Sequence, residues 1–169
     1  MPKPDSSPEP IATRALTPAD EPFLWEMLYQ ALYLPPGQPP FSREILQQPE
    51  IACYVQGWGQ PHDRGFAALV EGAPVGAAWL RLLTAERPGY GYVDDDTPEL
   101  SIAVLPEFRG KGIGSLLMSR LLELAQQTRY PAVCLSVSPG NPALRLYQRR
   151  GFAIVDETLS SIQMVRYFS

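Results

Sequence analysis

The chain has 169 residues, of which 45% are hydrophobic and 19% are charged, a balance typical of a soluble globular protein. A chain of this length usually forms one domain and buries about two-thirds of its unfolded surface. The formal net charge of −4 argues against nucleic acid as a partner, because duplex binding normally needs a clustered basic face. The sequence contains no apolar run near the ~20 residues of a membrane span, so we expect no membrane partner either.

The cysteines and the single histidine bear on location and metal binding. Cys53 and Cys134 both lie in apolar surroundings, far apart in sequence, which predicts buried free thiols in a reducing cytoplasm. The N-terminus lacks the hydrophobic core of a signal peptide, which favours the same cytoplasmic location. With His62 as the only histidine and no cysteine pair at ligand spacing, we expect no metal site.

The chain divides into a short tail and one domain. Residues 1–10 contain four prolines among polar residues, which predicts a disordered tail before a domain over residues 11–169. The predicted elements follow in chain order: a strand over 11–16, a helix from Thr17 to the Pro35-Pro36-Gly37 break, a helical region from Ser42 towards Trp58 interrupted near Pro49, strands over 65–71 and 75–83, a loop over 84–97, a strand over 99–105, a helix over 112–129, a strand over 132–138, a helix over 141–151, and strands over 152–156 and 162–168. About seven strands and four helices in mixed order predict an α/β fold, with helices packed on a mixed sheet.

The stretch from Glu99 to Ser115 is the most informative part of the chain. A buried strand ends at Pro106, and glycines at 110, 112 and 114 then lead into a helix that begins near Gly112. A glycine-rich turn before a helix leaves several backbone N–H groups unpaired at the positive end of the helix dipole. This turn therefore suits a phosphate or pyrophosphate group.

Two familiar phosphate-binding patterns do not fit this turn. A P-loop requires Gly-Lys-Ser/Thr, but Lys111 lies between glycines and is not followed by Ser or Thr. A dinucleotide fingerprint starting at Gly110 would end on Ser115, and the next strand finishes Ser136-Val-Ser138 without an acid to hold a ribose. Both patterns are excluded.

A third pattern fits. Arg109-Gly-Lys-Gly-Ile-Gly114 resembles the Arg/Gln-x-x-Gly-x-Gly/Ala acyl-CoA signature of the GNAT-superfamily N-acetyltransferases, and Asn141-Pro-Ala-Leu-Arg-Leu-Tyr147 with Arg150-Gly-Phe152 resembles that family's second cofactor segment. The resemblance implies one GNAT-like domain with a mixed, mostly antiparallel sheet. It also implies transfer of acetyl from acetyl-CoA to a primary amine of a small molecule or peptide, by direct attack in a ternary complex that leaves CoA. Such a protein acts as a monomer or homodimer.

The resemblance also assigns roles to residues. The backbone across Arg109, Gly110, Lys111, Gly112, Ile113, Gly114 and Ser115 would cradle the CoA pyrophosphate, the strand edge at Ile102, Ala103 and Val104 would pair with the pantetheine arm, and Asn141 and Tyr147 would contact the cofactor. Tyr147 stands where the family usually has the acid that protonates the departing thiolate. Glu99 stands where the family often keeps a base or a carboxylate that holds water.

Simpler interpretations stay open for most of these residues. Asn141 is also explained as a helix N-cap, and Tyr147 as a core aromatic beside Phe152. Arg109 and Lys111 are also explained as solvated charges, and Glu99 as an exposed residue at a strand end. A catalytically silent acyl-CoA sensor, or transfer of another acyl group, is the alternative function.

The acceptor side carries no motif. An acidic, aromatic mouth for a cationic amine, or simply a solvated loop, would be formed by Asp94, Asp95, Asp96 and Glu99 with Tyr90 and Tyr92. A substrate wall, or part of the core, would be formed by Trp25, Tyr29 and Tyr33, which recur at a spacing of four on the first helix.

Overall fold

The computed structural model describes residues 10–168, which form one sheet with helices on both faces. The seven strands are β1 (Ala12–Ala15), β2 (Arg64–Val70), β3 (Ala73–Arg81), β4 (Glu99–Val104), β5 (Ala132–Val137), β6 (Ala153–Glu157) and β7 (Ile162–Tyr167), and the four α-helices are α1 (Glu21–Ala31), α2 (Pro49–Ala52), α3 (Ile113–Gln127) and α4 (Ala143–Arg149). The predicted α/β fold is confirmed. The predicted disordered tail falls almost wholly outside the described residues.

The strand order is β1-β2-β3-β4-β5-β7-β6, and the described strands pair antiparallel except for β4 with β5. The mixed, mostly antiparallel sheet implied by the family resemblance is therefore present. Its only parallel pair places α3 in the crossover, as a parallel connection requires.

Alternate residues of β3 supply the two hydrophobic cores, one on each face of the sheet. Ala78 and Leu80 pack with α3 in one core, whereas Ala77 and Trp79 pack with α1 and α2 in the other. The period of two along the strand explains this division, since successive side chains point to opposite faces. The Trp79 indole N–H donates to the Tyr54 carbonyl at 2.9 Å, which fixes the segment after α2 against the sheet.

The helical region before β2 is interrupted near Pro49, as predicted. A 3-10 turn covers Arg43–Gln47, and Ser42 accepts a hydrogen bond from the Glu44 N–H as its N-cap. Pro49 then starts α2 at a first-turn position, where its missing N–H costs nothing. Both cysteines are buried and free, which confirms that prediction.

The sheet opens between β4 and β5. β4 pairs with β3 along its whole length, but its described pairing with β5 is limited to Glu99 opposite Cys134. Beyond Glu99 the two strands diverge, so the last residues of β4 have no strand neighbour on that side. This gap is where the candidate site lies.

Within residues 10–168, no helix is both long enough and apolar enough to cross a membrane.

Candidate active site

The glycine turn places three N–H groups at the start of α3. The first helical hydrogen bond runs from the Leu116 N–H to the Gly112 carbonyl at 3.1 Å, so the N–H groups of Ile113, Gly114 and Ser115 precede it. Gly112 is the N-cap residue and adopts φ +84, a left-handed conformation that favours glycine. The helix therefore begins where the sequence predicted, with its dipole directed into the open turn.

Gly114 differs from the other two glycines of the turn. Gly110 and Gly112 have φ of +77 and +84, so their backbone conformation alone favours glycine. Gly114 lies in the helix, and a Cβ built there would meet no atom within 4 Å. Because neither backbone strain nor packing requires glycine at this position, the space above it is free for a ligand.

The two cations of the turn contact protein groups. The Arg109 side chain donates from Nε to the Val104 carbonyl at 3.0 Å and from Nη2 to the Gln30 carbonyl at 3.3 Å, which links the turn to β4 and α1. The Lys111 ammonium lies 5.4 Å from the centre of the Phe108 ring. Both side chains are exposed beside the free N–H groups, so their charge favours an anion there.

A cavity of about 740 Å³ runs from this turn along the end of β4. Ile102, Ala103 and Val104 line one side of it, and Asn141 and Tyr147 line another. The edge of β4 that faces β5 is open at these residues, because the two strands do not pair beyond Glu99. Backbone groups on this edge are therefore placed to pair with an extended ligand.

α4 is fixed to α3 by Arg150. Its guanidinium donates to the Ser119 hydroxyl and, at 3.2 Å, to the Ser115 carbonyl in the first turn of α3. The two sequence motifs therefore meet in space. Pro142 is the N-cap residue of α4, one residue later than predicted, but the Asn141 side chain accepts from the Ala143 N–H at 2.9 Å and so stabilises the start of this helix. Asn141 also lines the cavity.

The Tyr147 ring is buried at 9% exposure and packs edge-on against Phe152, with ring centroids 6.1 Å apart. Its hydroxyl makes no hydrogen bond within the described part of the chain and reaches the cavity surface. Desolvation raises the pKa of this hydroxyl to about 12. Tyr147 thus contributes to the core with its ring and presents a protonated hydroxyl to the gap.

Glu99 is a buried carboxylate rather than an exposed strand end. It is 2% exposed, accepts a short hydrogen bond from the Tyr54 hydroxyl, and accepts another from the Gly91 N–H at 3.1 Å. Burial raises the pKa of Glu99 to about 7, and the two hydrogen bonds offset only part of that effect. A carboxylate with this pKa binds and releases a proton near neutral pH.

The loop between β3 and β4 covers Glu99, and two glycines allow it to approach. A Cβ on Gly89 would collide with the Glu99 carboxylate, and a Cβ on Gly91 would lie 2.6 Å from the Leu135 carbonyl carbon. The Gln163 side chain on β7 donates to the Gly91 and Tyr92 carbonyls and holds the loop in place. The burial of Glu99 therefore depends on a long-range contact.

Arg81 lies opposite Glu99 in the β3–β4 register but does not neutralise it. Its guanidinium pairs with Asp63 at 3.2 Å and donates to the Cys53 and Gln56 carbonyls at 3.0 and 2.6 Å. Arg81 therefore forms no ion pair that would lower the pKa of Glu99, and that pKa stays raised by burial.

A second cavity of about 350 Å³ adjoins the first on the Glu99 side. Ile102, Asn141 and Tyr147 line both cavities. Tyr33 lines both as well, and its hydroxyl donates to the Gly140 carbonyl at 3.2 Å, which ties the end of α1 to the loop before α4. Glu99 and Tyr147 therefore both line the second cavity, and Tyr147 also lines the first.

The residues predicted for the acceptor lie in different places. Tyr29 lines the first cavity and donates to the Phe41 carbonyl at 2.6 Å, but Trp25 lines neither cavity. Asp95 accepts from the Ala85 N–H and the Tyr92 hydroxyl, and Asp94 accepts from the Asp96 N–H and the Thr97 hydroxyl. Those bonds stabilise the covering loop, and neither aspartate lines either cavity.

Tyr54 is the site residue that sequence reasoning missed. It donates to Glu99 and accepts from the Tyr90 N–H at 2.8 Å, although it lies 45 residues before Glu99. Tyr54 lies in the turns that follow α2, in a segment without a motif, so the sequence gave no local signal for it. Tyr54 is found by asking which side chains hydrogen-bond to the buried Glu99 carboxylate. That question can be answered only once the fold is known.

The chain belongs to the acetyltransferase (GNAT) family, whose model matches residues 24–152. The matched range includes Glu99, the glycine turn and Tyr147, and the match confirms the family predicted from the two motifs. No curated protein sequence matches the chain significantly.

Solved structures show the same fold. The chain is similar to the PaiA N-acetyltransferase of Thermoplasma acidophilum in complex with coenzyme A, at 19% identity and TM-score 0.63, over 94% of this chain and 99% of that one. It is similar to YncA of Salmonella typhimurium, a putative acetyltransferase with its cofactor acetyl-CoA, at 18% identity and TM-score 0.67, over 94% of each chain. It is also similar to the ribosomal-protein-alanine N-acetyltransferase of Brucella melitensis, at 22% identity and TM-score 0.66, over 93% and 99%.

Proposed function

We propose that this protein is an N-acetyltransferase that uses acetyl-CoA to acetylate a primary amine, by direct attack within a ternary complex. The observation that carries the proposal is the junction of the two cavities, which brings an anion-binding turn, an open strand edge, Tyr147 and Glu99 into one gap. Bound acetyl-CoA would supply an acyl group activated as a thioester. Two fold neighbours crystallised with coenzyme A or acetyl-CoA support this choice of ligand.

The chain's own groups fit the parts of this cofactor. The N–H groups of Ile113, Gly114 and Ser115 would bind the pyrophosphate, with Arg109 and Lys111 adding positive charge. The backbone of Ile102–Val104 would hold the pantetheine arm as a neighbouring strand does, and Asn141 would contact the cofactor from the other wall. A backbone amide on this strand edge would polarise the thioester carbonyl.

Glu99 is the proposed general base. An alkylammonium has a pKa near 10 and cannot attack until it loses a proton. A carboxylate with a pKa of about 7, held by Tyr54 and Gly91 at the wall of the second cavity, is suited to accept that proton directly or through one water.

Tyr147 is the proposed partner of the departing sulfur. The cysteine thiol, used as a reference for the thiol of CoA, has an ordinary pKa of about 8.5, well below the pKa of about 12 that burial gives Tyr147. Full transfer of the tyrosine proton to the thiolate is therefore uphill. We propose that Tyr147 acts mainly by donating a hydrogen bond that stabilises the thiolate, with solvent supplying the proton afterwards.

We propose a cytoplasmic location for this enzyme, because its two cysteines are buried free thiols.

Calorimetric binding of acetyl-CoA together with thiol release in the presence of simple primary amines tests the proposal. Binding with amine-dependent thiol release is the expected result. Binding without turnover on any amine would favour a sensor in place of an enzyme, and no binding at millimolar acetyl-CoA would overturn both. Butyryl-CoA, run in parallel, tests whether the acyl group is larger than acetyl.

A further inference from the structure

We infer that the acceptor is a small primary amine with a single positive charge and an uncharged body that is apolar or carries a hydroxyl group. This inference rests on the proposed function and adds the class of substrate. It is drawn from the charges, the walls and the size of the second cavity.

The charge of the cavity favours one ammonium group. Among the described residues, Glu99 is the one charged side chain that lines it, and no lysine or arginine does. One buried carboxylate pairs with one cation. A second ammonium or a carboxylate on the acceptor would find no oppositely charged side chain in the lining, which is unfavourable wherever the wall shields that charge from water.

The aspartates of the covering loop do not provide a second anion. Asp94 and Asp95 already accept hydrogen bonds from backbone and hydroxyl groups within their own loop, and neither lines the cavity. A diamine would therefore find one strong anionic partner, at Glu99.

Two unlike walls define the body of the acceptor. Apolar side chains, Leu28, Leu32, Phe41 and Ile51, form one wall. Ser136, Ser138 and Ser161 contribute hydroxyl groups to the lining that make no hydrogen bond within residues 10–168. The tyrosines at 33, 54, 90 and 147 add ring surface that suits both an ammonium and an aromatic group. These surfaces match an alkyl or aryl body with a hydroxyl group and offer nothing to a second charge.

The size of the cavity favours a small molecule over a peptide. Its volume of about 350 Å³ lies at the lower end of the ~300–1,000 Å³ of small-molecule sites. The Tyr33–Gly140 hydrogen bond also ties together two segments that line it, which limits the room for an extended chain.

Four amines with six carbons each differ only in the group at the end opposite the reacting amine, and so test the effect of that group: hexylamine, 6-amino-1-hexanol, 1,6-diaminohexane and 6-aminohexanoate. We expect kcat/KM for hexylamine and aminohexanol to exceed that for the diamine and the amino acid by about tenfold or more, because the latter two bring a second charge against a lining that holds no partner for it. Calorimetric Kd values, measured with the CoA-bound protein, should follow the same order.

Ser161→Asp provides a matched test, with Ser161→Asn as the neutral control of similar size. The added carboxylate should raise kcat/KM for the diamine relative to hexylamine by about fivefold or more, since it supplies the missing anion. The asparagine variant should leave that ratio unchanged.

The inference is overturned if the diamine or 6-aminohexanoate equals hexylamine in kcat/KM and Kd. It is also overturned if a hydrophobic dipeptide amide is acetylated better than all four probes. Failure of acetyl-CoA to bind would defeat the proposed function instead, and amine Kd values measured with the protein alone would then still test the charge of the cavity.

Discussion

The two halves of the candidate site are built in different ways. The pyrophosphate end of the proposed cofactor half consists of consecutive residues, the glycine turn and the first turn of α3, which present backbone N–H groups to open space. The acceptor half joins Tyr54, Gly91 and Glu99 from three separate segments, and its central group is a buried carboxylate. Phosphate binding needs a local backbone shape, whereas a raised carboxylate pKa needs enclosure by distant parts of the chain.

This difference predicts different responses to mutation. Changes in the cofactor half should alter binding and leave the chemical step and the fold intact. Changes in the acceptor half should alter the rate, its pH dependence and the pH dependence of stability, because one buried proton controls all three.

Replacement of Glu99 by glutamine should have the largest effect. Loss of the general base should lower kcat by about 10²- to 10⁴-fold while the Kd of acetyl-CoA stays within about twofold. In the unchanged protein, kcat/KM should rise with pH through an apparent pKa near 7, and that rise should disappear in the variant. Steady-state kinetics from pH 5.5 to 9 measure both, and a variant with normal kcat would remove Glu99 from the mechanism.

The same variant should also change how stability depends on pH. The pKa of Glu99 is raised from 4.5 to about 7 in the folded protein, so the folded state holds this proton more tightly than the unfolded state. Stability contributed by Glu99 therefore falls as pH rises from about 4.5 to 7, by at most about 3 kcal/mol, and then levels off. Denaturant titrations at pH 5 and 8 should show a smaller loss in Glu99→Gln, and equal losses would contradict the raised pKa.

Tyr147→Phe should lower kcat by about 10- to 100-fold. This is less than the usual 10²–10⁴ for a general acid, because a thiolate is already a good leaving group. The phenylalanine ring keeps the contact with Phe152, and the lost hydroxyl had no protein partner within residues 10–168, so Tm should not fall. A normal kcat with unchanged Tm would leave Tyr147 a core residue only.

Gly114→Glu should raise the Kd of acetyl-CoA by about tenfold, with Gly114→Ala as the control. The new carboxylate repels the pyrophosphate, yet a negative charge in the first turn of α3 favours the helix, as does the loss of glycine. Weaker binding should thus accompany an unchanged or higher Tm. Calorimetry and thermal unfolding of both variants separate this result from simple misfolding, and unaltered affinity in the glutamate variant would move the pyrophosphate elsewhere.

The local backbone structure of the proposed cofactor half could be predicted from sequence because the residues of each helix start are neighbours along the chain. The start of α3 at Gly112 was predicted correctly, and the start of α4 was predicted to within one residue, since Asn141 accepts from the first N–H of that helix although Pro142 is its N-cap. Both helix starts depend on local backbone chemistry. The α/β class followed from the order of the elements in the same way.

The acceptor half could not be predicted because its properties come from packing. Glu99 reads as an ordinary strand-end residue until the loop bearing Gly89 and Gly91 is seen to cover it. From the sequence alone, Arg81 could equally have formed an ion pair with Glu99. Only the side-chain geometry shows that Arg81 pairs with Asp63 instead.

The described strand pairing between β4 and β5 consists of one residue pair, so the hydrogen-bonded ladder between these two strands is incomplete. Strands β1 to β4 form one hydrogen-bonded block and β5 to β7 another, and the described strand pairing joins them at Glu99 and Cys134. A ligand lying along Ile102–Val104 would occupy the position of a missing strand segment. Binding would then slow hydrogen exchange at these amides and join the two blocks into one cooperative unit, so the cofactor would complete the architecture as well as supply the acyl group.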